Sequence, residues 1–132
     1  LKWSHDFNEF YYCGSGHGNL LVYRAATDEV EVIFTGGTIL GIMPDISEYY
    51  SEGKLELNIG DSILMYTDGV TESMNLRGEQ LEEEGLISSF KKYSSLKPNE
   101  ILEGIYKDIK TFSVNVSSQH DDITMLIIKR HV

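Results

Sequence analysis

The chain has 132 residues, enough for one domain and too few for two. With 11 Lys plus Arg against 21 Asp plus Glu, its net charge of −10 argues against a general nucleic-acid binder, and 41% hydrophobic residues argue against a disordered tail. No stretch approaches the roughly 18 apolar residues of a membrane span, and the lone cysteine, Cys13, excludes an internal disulfide framework and suits a reducing cytosol.

The chain starts at Leu1 with no basic-then-apolar leader, so its start reads as a processed end or the edge of a piece of a longer protein. Phe7 to Tyr12 is aromatic-rich and closes on Cys13-Gly14-Ser15-Gly16, a strand ending in a turn. Leu20 to Arg24 is a second strand. Thr27-Asp28 turns it into a third, Glu29 to Phe34, whose near-alternation suits a hairpin with one wetter face. Gly36, Gly37, Gly41 and Pro44-Asp45 then hold the chain in loop geometry. Lys54 to Asn58 alternates again, with Leu55 and Leu57 facing one way, and Ile59-Gly60-Asp61 makes a tight turn. Ser62 to Thr67 is almost continuously apolar, the pattern of a strand covered on both faces.

Helical periodicity follows. Leu86, Ile87 and Phe90 form a short apolar stripe between Leu81 and Tyr93. Pro98 suits the first position of a longer helix in which Ile101, Leu102, Ile105, Tyr106, Ile109 and Phe112 recur. Lys97 is a poor N-cap for it. Ser113 to Gln119 is a polar loop, and Ile123 to Ile128 is a second strand expected to be covered on both faces. The class is α+β, a mostly antiparallel β-sheet with two C-terminal helices on one face.

Asp68 follows the first of these apolar strands, and Asp121 and Asp122 precede the second. If the two strands are antiparallel neighbours, all three carboxylates gather at one rim of the sheet. Carboxylates so placed repel, and a hard divalent cation such as Mg²⁺ or Mn²⁺ relieves the conflict. The alternative from the same residues is plain: Asp before Gly is a common turn, and an Asp pair before a strand is a common solvated cap.

Y-T-D-G-V-T-E-S (66–73), preceded by I-G-D-S-I-L-M (59–65), resembles the central motif of PPM-type (protein phosphatase 2C-like) serine phosphatases. The resemblance is to the bacterial branch that includes the sporulation stage II E phosphatase and the stress sigma-factor regulators. G-S-G-H-G-N-L-L-V-Y (14–23) is similar to that branch's A-G-H-P-P segment, G-G-T-I-L-G-I (36–42) to its G-x-P-L-G-I turn, and H-D-D-I-T-M-L-I-I (120–128) to its closing D-D-I-T strand.

The resemblance implies an α-β-β-α sandwich, of which residues 1–132 would be the C-terminal part. It implies a cytoplasmic, metal-dependent Ser/Thr phosphatase in which two Mn²⁺ or Mg²⁺ ions activate a water for direct attack on phosphoserine or phosphothreonine. On the matching motifs Asp68 and Asp121 are the catalytic metal ligands. Gly69 belongs to the metal site by allowing the close turn, and Asp122 supports it. The expected partner is a phosphoprotein, by family resemblance an anti-anti-sigma factor; neither nucleic acid nor membrane is expected for this chain.

C-G-S-G-H-G (13–18) mimics the family's first motif, D-x-S-G-H-G, with Cys13 in place of its bridging Asp. The strand pattern of Asn19 to Arg24 places it instead at the later A-G-H segment, so the bridging Asp is expected upstream of residue 1. Alone, the chain is then expected to catalyse weakly or not at all, and any uncovered edge strand invites a homodimer. Gly18-Asn19 stands where the family has prolines, and Leu81-Glu82 where Phe-Gly is common. His17 reads as a turn or packing residue and Glu72 as a candidate near a metal-bound water. Trp3 and the tyrosines at 11, 12, 49 and 50 read as core or interface, and Glu82-Glu83-Glu84 as a solvated helix start. A non-catalytic phosphatase-like interaction module and a plain structural β-rich domain are the competing readings.

Overall fold

The computed structural model describes residues 1–4, 9–45, 47–113 and 121–131. Strands β1 (Lys2–Ser4), β2 (Glu9–Tyr12) and β5 (Gly53–Glu56) form one antiparallel sheet in the order β1-β2-β5. Strands β3 (Leu20–Arg24), β4 (Glu29–Ile33), β6 (Ser62–Tyr66) and β7 (Met125–Lys129) form a second, in the order β4-β3-β6-β7. The helices are α1 (Asp68–Thr71), α2 (Glu82–Tyr93) and α3 (Pro98–Phe112), and a 3₁₀ turn spans Ser47–Tyr49.

Alternation builds the layers. On β3 and β6, Leu21, Tyr23, Leu64 and Tyr66 face Leu86, Phe90, Ile101, Ile105 and Ile109 of α2 and α3. Leu20, Val22 and Ile63 point the other way, against Phe10 and Leu55 of the smaller sheet and Leu57 just past β5. The central strands therefore bury both faces, which is why their sequences run apolar without a break. The layers stack helix, sheet, sheet.

The hairpin β3–β4, the tight turn before β6 and the boundaries of α3 lie where the sequence places them. Four differences have physical reasons. β7 is an edge strand with Leu126 half exposed, so the run 123–128 is not covered on both faces. A one-turn helix, α1, is too short to show any periodicity. The strand starting at residue 29 ends at Ile33, and Phe34 runs off the sheet into solvent, 82% exposed. Glu83 is half-buried rather than a free solvated acid: its Oε1 accepts the Tyr66 hydroxyl (2.5 Å) and Asn19 Nδ2 (2.9 Å). Phe7 and Asn8 of the expected strand, residues 114–119 of the expected loop and His120 of the closing motif lie outside the described residues.

Candidate active site

β6 and β7 run antiparallel with Tyr66 opposite Met125. Beyond that pair the ladder continues through Thr67. Its N–H donates to the Thr124 carbonyl (3.1 Å), its Oγ1 accepts the Thr124 N–H (2.9 Å) and the same hydroxyl donates to the Asp122 carbonyl (2.9 Å). Three bonds of this kind, each worth about 0.5–1.5 kcal/mol, pin the two strand tips together. Gly69 completes the corner. A Cβ there would lie 2.9 Å from the Asp122 carbonyl carbon and 3.1 Å from that of Asp121. Its own carbonyl accepts the buried Ser73 hydroxyl at 2.8 Å.

The corner opens on a cleft of about 240 Å³ lined by Ser15, Gly16, His17, Thr67, Asp68 and Asp121. Asp68 starts α1 and is exposed; Asp121 accepts the Asp122 N–H at 2.8 Å. The structure thus brings Asp68 and Asp121 to one rim, with Gly69 between their backbones. Asp122 takes part through its carbonyl rather than as a lining residue. Among the described residues no three His, Cys, Asp or Glu side chains gather closely enough to hold a metal ion, so the expected trio of carboxylates is a pair.

His17, read from sequence as a turn or packing residue, forms part of the cleft wall, with Nδ1 accepting the Gly18 N–H. Cys13 and Glu72 are absent from the lining residues. Thr67, Ser15 and Gly16 were missed as site residues. Thr67 had a signal, a hydroxyl wedged between a buried strand and Asp68; Ser15 and Gly16 had the 14–23 motif, but a loop wall is assembled from distant sequence and the motif does not say which cleft it lines.

Behind the cleft, Tyr66 joins β6 to α2. Burial pushes its phenol well above the usual range, reinforced by its hydrogen bond to Glu83 and by the Asp68 charge. Asn19, in place of a proline, donates to the same Glu83 oxygen. It therefore fastens the start of β3, just past the His17 wall, to α2, a bond that proline has no side-chain donor to make.

The donor set of the cleft suits a hard cation. Among the described residues its lining has two carboxylates, two hydroxyl groups and no Lys or Arg, so a phosphate monoester meets net negative charge unless a divalent ion stands between.

The chain is similar to phosphoserine phosphatase RsbU of Bacillus subtilis, 27% identical over 127 residues that make up 96% of this chain and 36% of that protein. It therefore spans about a third of the curated relative's length. A solved Mycobacterium tuberculosis protein with RsbU and RsbW domains is 27% identical with a TM-score of 0.70, covering 94% of this chain and 33% of that one. The SiaA-PP2C domain of Pseudomonas aeruginosa, at 16% identity and a TM-score of 0.71 over 94% of this chain and 47% of that one, shares the fold. So does the Bacillus subtilis SpoIIE PP2C phosphatase domain solved with a fragment of its regulatory domain, at 18% and 0.72 over 92% and 34%. The family profile described as stage II sporulation protein E (SpoIIE) matches residues 4–131, and the chain belongs to that family.

Proposed function

We propose that this chain is the C-terminal part of a cytoplasmic, metal-dependent protein Ser/Thr phosphatase acting in bacterial signalling. The observation that supports it best is the Thr67 clamp, which carries Asp68 and Asp121 to one cleft. Asp68 and Asp121 would hold Mn²⁺ or Mg²⁺, with Gly69 keeping the corner closed and Asp122 supporting it. Two solved fold neighbours, a manganese-soaked SpoIIE phosphatase domain and RsbX with magnesium, accord with that ion class. When bound, the ion supplies Lewis-acid charge and a water of lowered pKa. The chain's own groups position and shield: Thr67 fixes the spacing of the two carboxylates, and Ser15, Gly16 and His17 wall the cleft. The substrate would be a phosphoprotein, an anti-anti-sigma factor by family resemblance.

A chain of the relatives' length should hydrolyse p-nitrophenyl phosphate with Mn²⁺, and Asp68→Asn or Asp121→Asn should abolish it; full activity in both variants would refute the assignment. Two carboxylates hold a metal pair poorly, so calorimetry on the present chain should show feeble Mn²⁺ binding. Tight binding of two ions would count against that expectation. The pairing of two carboxylates among the described residues also keeps a second reading, a non-catalytic interaction module, which predicts no hydrolysis in the longer chain either. A homodimer is expected through the open side of the two sheets, where Trp3, Phe10, Leu57 and Ile128 line a cavity of about 410 Å³. Light scattering that shows a monomer at high concentration would exclude it.

A further inference from the structure

The loop between β4 and β5 exposes what a loop ordinarily hides. Ile39, Leu40, Ile42 and Met43 are 63%, 68%, 61% and 44% exposed within five residues of one another. The loop is nevertheless closed at its base, where the Tyr50 hydroxyl donates to the Thr38 carbonyl at 2.8 Å. Closed surface loops of this length are frequently functional, and clustered exposed apolar residues mark interaction surfaces. The loop is also fastened to the cleft wall. Gly14 lies so near the Thr35 and Gly36 backbone that a Cβ on it would collide, and Ile39 leans on Gly16, a lining residue of the cleft.

Charge narrows the occupant. From residue 25 to residue 53 there are six carboxylates and no Lys, Arg or His. Asp45 and Glu48, just beyond Met43, are exposed. An anionic membrane surface is repelled by such a border, and so is the same loop of a second copy, which carries the same carboxylates. We propose that this loop docks a protein segment whose apolar side chains are flanked by lysine or arginine, and that it thereby selects the phosphoprotein presented to the adjacent cleft. The selection role rests on the phosphatase reading; the docking does not.

The test uses fluorescence anisotropy with a fluorescein-labelled phosphoserine peptide carrying leucines flanked by arginines, and a control peptide with glutamates in place of the arginines. The arginine peptide should bind this chain about tenfold more tightly than the control, and the preference should shrink as salt is raised. Leu40→Ser/Ile42→Ser should weaken binding about tenfold with an unchanged thermal midpoint. Glu48→Lys should weaken the arginine peptide and strengthen the control, which keeps the question decidable if the serine variant unfolds. Equal affinity for both peptides, or unchanged affinity in both variants, overturns the proposal. So does a dimer that becomes a monomer on Leu40→Ser/Ile42→Ser, or loss of binding in a chain of the relatives' length, where the rest of the protein would cover the loop. Anisotropy needs no turnover, and p-nitrophenyl phosphate has no apolar-basic segment. Failure of the dock and failure of the phosphatase assignment are therefore read separately.

Discussion

Strand β6 carries an aspartate at each end, and the two are used in opposite ways. At its start, Asp61 is buried to 1% exposure and saturated. Its carboxylate accepts the Ala25 N–H (2.8 Å), the Asn58 N–H (3.0 Å) and Arg24 Nη1 (3.2 Å). At its end, Asp68 is exposed, and among the described residues no hydrogen-bond donor engages its carboxylate. One charge is consumed in tying the β3–β4 hairpin to the turn before β6; the other is left for something outside the chain. Sequence type and strand position do not separate them. Burial and the count of protein donors do.

The largest expected effect is at the saturated end. Asp61→Ala strips two backbone N–H groups and a guanidinium of their shared acceptor, so stability in urea should fall by about 3–5 kcal/mol. Asp68→Ala, on the same strand's other end, should stay within about 0.5 kcal/mol of the parent. Equal losses at the two sites would break the contrast.

Gly69→Ala comes next. The added methyl meets backbone, which cannot rotate away, so the corner must open by shifting residues 121–122. Overpacking of this kind costs about 1–3 kcal/mol. Activity in a chain of the relatives' length should fall with it, because the corner sets the spacing of Asp68 and Asp121. A variant with full stability and activity would show that the close approach is dispensable.

Much of this was legible in the sequence where one strand or helix states its own case. Ile101, Ile105 and Ile109 repeat at helical spacing and are buried, and α3 begins at Pro98. Glu100 accepts the Lys97 N–H (3.0 Å), so the weak cap at Lys97 is relieved by its third successor. Asp68 and Asp121 could be found because apolar strands point at them. What stayed hidden depends on neighbours. The I-T-M-L-I-I run reads alike on a central or an edge strand, and only the topology exposes Leu126. Three glutamates in a row read as solvent-facing, yet tertiary contact turns Glu83 inward to Tyr66 and Asn19.

Asp108 offers an intermediate case, partly buried and shared between α2 and α3. Its carboxylate accepts Ser89 Oγ (2.8 Å), Tyr93 Oη (3.0 Å) and Lys92 Nζ (3.1 Å). Burial works to raise its pKa, but these bonds together hold it below the usual value. A lowered carboxylate contributes stability that is complete above the ordinary pKa of about 3.9 and is lost as pH falls through the lower folded value. Asp108→Asn should therefore cost about 1–2 kcal/mol at neutral pH and nothing at strongly acid pH. Parallel pH-stability curves for the two proteins would refute this.

The smallest effect expected is a gain. Glu82, the first residue of α2, has φ of +57°, in the left-handed region that favours glycine. Left-handed backbone costs a non-glycine residue about 1–2 kcal/mol, part of which glycine gives back through its freer unfolded chain. Glu82→Gly should therefore raise stability by up to about 1 kcal/mol, read as a higher thermal midpoint. The side chain is exposed and its neighbour Glu83 makes the inward bonds, so no contact is lost in exchange. The acid at residue 82 thus adds a third kind to the pair on β6. Its backbone strain matters more than its charge, and Glu82→Gln, which keeps the strain and removes the charge, should leave the midpoint nearly where it was.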